Sequence, residues 1–145
     1  RELEHDLGVE LLLRSARGGF VRAQIMLGKS LENGLLGRRS LPEAHDWYEL
    51  AANAGNAEAQ LAMGTAHYLG RGRPKDAARA AHWYREAAKA GDIGAAYILA
   101  SMYEQGDGVE QDLRLARYWY QRAADGGDDA APFKVKELQL RESAS

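Results

Sequence analysis

Residues 112–127 read Asp-Leu-Arg-Leu-Ala-Arg-Tyr-Trp-Tyr-Gln-Arg-Ala-Ala-Asp-Gly-Gly. Ala116, Trp119, Tyr120, Ala123 and Ala124 fall at i, i+3, i+4, i+7 and i+8, which is one apolar stripe on an α-helix. Asp112 stands before the stripe as a helix N-cap, and glycine follows it as a stop. The pattern returns at Ala80, Trp83, Tyr84, Ala87, Ala88 and at Ala44, Trp47, Tyr48, Ala51, Ala52, in steps of 36 residues. Glycines keep the same step through Gly19, Gly55, Gly91 and Gly127, and through Gly34, Gly70 and Gly106. A fixed period of this length is the signature of a repeat array, in which stacked units share a continuous core.

Each period holds a second helix before the Trp-Tyr helix. Small and apolar residues mark its buried side: Ala59, Met63, Gly64 and His67, then Ala95, Leu99, Ala100 and Tyr103. Gly28 and Gly64 inside helices cost about 1 kcal/mol each against Ala, which points to close helix approach there. Ser40, Asp76 and Asp112 are placed to cap the second helix of each pair, and Asn56, Asp92 and Asp128 the first. Ser40-Leu41-Pro42-Glu43 reads as a capping box. The helices are expected at about 21–33, 41–53, 56–69, 77–89, 92–105, 113–125 and 129–142.

The fold class is therefore all-α: a right-handed α-α superhelix, or solenoid, forming a single domain over 1–145. Repeats are expected at 19–54, 55–90 and 91–126. Residues 1–18 form a half-repeat in which Leu11-Leu12 replace Trp-Tyr, and 127–145 form a capping helix, charged on its outer face, with a frayed Ser143-Ala144-Ser145 tail. Leu11-Leu12-Leu13 would be exposed if repeats were missing upstream. The start at Arg1 rather than Met fits removal of a leader and, with the resemblance below, a bacterial periplasmic or envelope location.

The composite of Ala59-Gln60, Met63-Gly64, Gly70-Arg71-Gly72, Asp76, Ala80, Trp83-Tyr84 and Ala87-Ala88, matched again through Ala95–Val109, Asp112 and Trp119-Tyr120, resembles the Sel1-like repeat, a relative of the tetratricopeptide repeat. The resemblance covers about residues 19–138. Repeat one departs from it, with Leu36 at the second loop glycine, and Leu31 and His67 stand where the family usually has Tyr. The resemblance implies a scaffold: an adaptor in envelope assembly, signalling or host interaction, or an immunity protein that neutralises a secreted effector. It implies no common catalytic activity.

In similar repeats the first helices line a concave groove. Carried over, the groove residues are Arg22, Ile25, Lys29, Glu32 and Asn33; then Glu58, Leu61, Thr65, Tyr68 and Leu69; then Gly94, Tyr97, Ser101, Glu104 and Gln105. The bland reading is ordinary surface. Arg38, Arg39, Arg71, Arg73 and Lys75 occupy the loops, as a solvated edge or as a basic edge that steers an acidic partner. Trp47, Trp83 and Trp119 are expected in the core.

Other classes find little support. The net charge of −2 carries no basic field for nucleic acid. With no cysteine there is no disulfide, thiolate metal site or cysteine nucleophile. His5, His45, His67 and His82 match no metal-ligand spacing, with His67 expected in the core and His45 and His82 away from the stripe or at its border. Neither a nucleophile elbow nor a phosphate loop appears. The chain is read as a non-enzyme without cofactor or metal, with another protein as its partner. The alternatives are a structural fragment of a longer solenoid and a glycan or peptidoglycan binder.

Overall fold

The computed structural model describes residues 2–144, and side chains from residue 8 to 144. Arg1, the His5 side chain and Ser145 lie outside the described residues. Among the described residues eight helices run in order: α1 (Glu2–Arg17), α2 (Val21–Asn33), α3 (Leu41–Asn53), α4 (Ala57–Leu69), α5 (Ala77–Lys89), α6 (Ile93–Gln105), α7 (Leu113–Asp125) and α8 (Ala131–Ala144). They fall into two compact units, one ending at Lys75 and one beginning at Asp76. Within each unit every helix packs on the next, α1 to α4 in the first and α5 to α8 in the second.

The punctuation behaves as its chemistry dictates. Ser40, Asn56, Asp76, Asp92 and Asp112 each accept a backbone N–H of the first helical turn, and the Asp128 carboxylate accepts those of Ala130 and Ala131. Gly34, Gly70 and Gly106 close α2, α4 and α6 in the left-handed conformation, φ 73°, 70° and 70°. The capping box is only half formed. Ser40 Oγ accepts from Glu43 N at 3.3 Å, but the Glu43 carboxylate turns outward to a two-armed bond with Arg38, at 3.0 and 2.6 Å. The Ser40 N–H that the box would have used donates to the Leu31 carbonyl instead.

The core is built from the two helical stripes. Ala44, Ala51, Ala80, Ala87, Ala116 and Ala123 are fully buried, and so are Met63 and Leu99. Burying a side chain of the latter size contributes about 1.5–3 kcal/mol. The Trp expectation needs correction: Trp119 is buried, but Trp47 and Trp83 are half-buried. The tyrosine of each pair goes deeper, with Tyr48, Tyr84 and Tyr120 all 3% exposed or less. His67 is a core residue, its Nδ1 3.3 Å from the Pro74 carbonyl. His45 is buried too, against expectation, and its Nδ1 donates to the Leu41 carbonyl at 2.8 Å, while His82 is exposed.

Both chain ends differ in detail from expectation. Helix α1 begins earlier than residue 7. Leu12 and Leu13 pack with Leu36 and Trp47 on a cluster of Ala16, Ala23 and Leu27, leaving Leu11 as the exposed member of the leucine triplet. Helix α8 extends through Ser143 and Ala144, beyond the expected bound at 142. Its outer face is not simply charged: Phe133 and Leu140 are 75% and 72% exposed.

The loop glycines differ in what surrounds them. Gly72 has φ +77°, and a Cβ there would collide with His45 Nδ1 and come within 2.9 Å of the Leu41 carbonyl oxygen. Gly55 has φ +96° with open space around it. Gly55→Ala should therefore lose only the left-handed penalty of about 1 kcal/mol. Gly72→Ala should add an overpacking cost of about 1–3 kcal/mol to that penalty. Urea midpoints of the two variants check this, and equal losses would show that the Gly72 contact yields.

Candidate functional site

In the first unit, α2 and α4 flank an open pocket of about 410 Å³. Lys29, Glu32 and Asn33 come from α2. Glu58, Leu61, Ala62, Thr65 and Ala66 come from α4. Tyr48 and His45 of α3 complete the wall, and Arg71 stands in the loop after α4. The Tyr48 ring lies against Gly28, where a Cβ would be 2.7 Å from it, so only glycine lets the ring seat. From that seat the Tyr48 hydroxyl donates to Glu32 Oε1 at 3.0 Å. Burial raises the Tyr48 pKa, and the Glu32 charge with its hydrogen bond adds to the rise. His45 meets the Tyr48 ring edge-on at 5.4 Å. Lys29 and Glu58 form a 2.7 Å ion pair, but both are about half exposed, so the pair contributes little to stability.

The second unit holds a related constellation. Tyr120 donates to Glu104 Oε1 at 2.7 Å, and burial, then Glu104, raises its pKa in the same way. Tyr97 meets the Tyr120 ring edge-on at 5.1 Å. Lys134 of α8 approaches Glu104 to 3.2 Å and Arg141 approaches it to 3.5 Å.

Of the residues expected in the groove, Lys29, Glu32, Asn33, Glu58, Leu61 and Thr65 meet in the one pocket. Ile25 does not belong with them; it is 4% exposed and part of the core, because α2 turns that position inward. Arg22, Leu69, Gly94 and Gln105 are exposed, while Tyr68, Tyr97, Ser101 and Glu104 are half-buried. Two members of the basic edge, Arg38 and Arg73, are paired with carboxylates. Arg38 pairs with Glu43. Arg39 Nε donates to the Glu32 carbonyl at 2.9 Å. Arg73 is the best anchored: its guanidinium, 16% exposed, bonds Asp46 at 2.8 Å, Glu49 at 3.3 Å and the Pro42 carbonyl at 3.2 Å. Lys75 packs its Cβ by Gly70, which leaves Arg71 as the member that faces the pocket.

The sequence reading missed His45, Tyr48, Ala62 and Ala66 as pocket residues. Tyr48 lies on the apolar stripe and also lines the pocket. Phe133 and Leu140, one period on from Tyr97 and Glu104, are exposed on α8. Among the described residues no group of three or more His, Asp or Glu could hold a metal ion, and no helix is long and apolar enough to cross a membrane.

Paired helices at a 36-residue step, closed by left-handed glycines and carrying an open side-chain pocket, define a helical-repeat scaffold. The Sel1 repeat profile matches residues 21–56, 57–92 and 93–128, and the chain belongs to the Sel1 repeat family. The structure is similar to a Sel1 repeat protein from Oxalobacter formigenes, at 36% identity and TM-score 0.80, covering 90% of this chain and 98% of that one. It is also similar to a protective antigen of uropathogenic Escherichia coli strains with the same repeat fold, at 34% identity and TM-score 0.77. That match covers 84% of this chain and 26% of the antigen. Helicobacter pylori cysteine rich protein B shares the fold at 16% identity and TM-score 0.65, with 88% and 92% coverage. No curated protein matches. Sel1 repeat proteins are generally protein-interaction modules, and the fold is a typical non-catalytic scaffold.

Tyr48 and Tyr120 set a pH dependence. Their folded pKa values lie above the ordinary value near 10, so the neutral form is favoured on folding. The associated stability is fully present below pH 10 and is lost as the pH rises above it. Chemical denaturation at pH 9 and pH 11 should show a smaller loss in Tyr48→Phe/Tyr120→Phe than in wild type. An identical loss in both would remove the tyrosines as its source.

Proposed function

We propose that this chain is a non-catalytic protein-binding module, and that in its first unit the partner contacts the face of α2 and α4 around the Tyr48 pocket. The observation that carries this reading is the pocket itself. It brings apolar wall and charged groups from the first helices of successive repeats together with the aromatic surface of Tyr48 on α3. A mixed surface of this kind suits a protein segment, in which a few anchors fill a cavity and polar groups at the rim select register. Within this reading the chain acts either as an assembly adaptor or as an immunity protein that neutralises a secreted effector. The two differ in what they bind: an immunity protein takes one effector tightly at fixed stoichiometry, whereas an adaptor binds several proteins more weakly.

The test starts from partners recovered by the intact chain from extracts of its source cells and then measured directly by calorimetry. Leu61→Glu/Thr65→Glu in the pocket wall should weaken binding at least about tenfold, the usual consequence of losing an interface anchor. Leu50→Glu, at an exposed leucine outside the pocket, should leave it unchanged. Loss with Leu50→Glu and retention with the pocket variant would move the contact surface elsewhere. A single nanomolar partner at one-to-one ratio would select the immunity role.

A further inference from the structure

The two units repeat one frame. Helices α2 and α3 match α6 and α7 in length, two periods on, and in both units a buried tyrosine hydroxyl donates to a glutamate on the preceding helix. The units differ in what else the glutamate meets. In the second, Lys134 Nζ lies 3.2 Å from Glu104 and 5.7 Å from the centroid of the Tyr120 ring. An ammonium so placed is attracted by the carboxylate and by the ring's quadrupole together. Burial works against the Lys134 charge, yet Glu137 and Glu104 outweigh it and hold the pKa above the ordinary lysine value. Arg141 completes the clamp at 3.5 Å from the same carboxylate.

The first unit has the receptor without the cation. Two periods before Lys134 stands Ala62, and two periods before Arg141 stands Leu69. Glu32 accepts the Tyr48 hydroxyl, but among the described residues no ion pair reaches its carboxylate, and Lys29 is turned to Glu58. In place of a lysine side chain there is the open pocket, with Ala62 in its wall and Glu32 and Tyr48 beside it.

We propose that the Glu32–Tyr48 pocket receives a lysine or arginine side chain from a protein partner, which takes there the place that Lys134 occupies within the second unit. The inference rests on the protein-binding reading and narrows it to a segment with a basic residue at its anchor point. A four-carbon stem passing Ala62 and Leu61 would bury its methylenes along apolar wall while the charge reaches Glu32. Arg71 at the pocket edge favours the opposite occupant, a carboxylate, so the experiment includes one.

Amide chemical shifts of the full chain would be followed by NMR during titration with three probes: Nα-acetyl-lysine methylamide, its Nε-acetylated neutral form, and Nα-acetyl-glutamate methylamide. The charged lysine probe should shift Glu32, Tyr48, Leu61 and Thr65, at least about tenfold more tightly than the neutral form. Glu32→Gln should abolish the response. Ala62→Lys should abolish it too, by filling the pocket from within. Lys134→Ala should add a second set of responding residues around Glu104 and Tyr120, a gain that a destabilised fold cannot produce. Equal response to charged and neutral lysine, no response in wild type, or a glutamate response lost in Arg71→Ala would each overturn the proposal. Those results would leave the protein-binding reading standing, because that reading fails only in the calorimetry of recovered partners.

Discussion

The Tyr48 ring seated on Gly28 is the contact from which the first unit takes its shape. A glycine in mid-helix costs about 1 kcal/mol relative to alanine, and here a Cβ would stand 2.7 Å from the ring. The missing methyl lets α3 approach α2 closely enough for an aromatic side chain to be buried between them. Three consequences follow from one atom's absence. The two helices are held in one register. The tyrosine hydroxyl is carried to Glu32, 3.0 Å away, which fixes the position of a carboxylate. The ring also becomes part of the wall of the neighbouring pocket, so that core packing and surface chemistry share a residue.

The loops are governed by a related constraint. Gly72 and Gly108 have nearly the same φ, +77° and +76°, and each lies where a Cβ would strike the first turn of an earlier helix: Leu41 and His45 in one unit, the Ala77 carbonyl in the other. Repeat one breaks this pattern with Leu36, and its loop carries a turn in which the Gly37 N–H donates to the Gly34 carbonyl at 3.3 Å. The positive φ moves one residue on, to Gly37 at +86°, and Leu36 joins Leu12 and Leu13 in the packing around Ala16 and Leu27. A substitution that looks like a defect in the motif is a relocation of the flexible residue, with the displaced side chain put to use in the core.

Much of this was legible in the sequence because period and punctuation are local. Helices 21–33, 41–53, 77–89 and 113–125 have the expected bounds, since cap residues and left-handed glycines act within a few positions of themselves. What the stripe does not encode is depth. Trp47 and Tyr48 share a stripe, but their distance from the neighbouring helix decides that Tyr48 is buried and Trp47 only half so. Ile25 sits one period before Leu61, yet it is buried and Leu61 lines the pocket. Long charged side chains were least legible, because reach, and not position, selects their partners. Arg73 crosses back to Pro42, Asp46 and Glu49, and Glu43 leaves its expected cap for Arg38.

A repeat frame separates the cost of building a site from the choice of what the site does. Backbone, caps, buried alanines and the Tyr–Glu hydrogen bond recur in both units, so the energy that holds the carboxylate in place is already supplied by folding. One position on the following first-type helix then decides whether that carboxylate is satisfied from within or left facing a cavity. Lys134 bridges to Glu104 and covers Tyr120, whereas Ala62 is too short to reach across. Ala62 and Lys134 are both half-buried, at the edge of the core, and the Tyr–Glu hydrogen bond is kept in each unit although the side chain at this position differs.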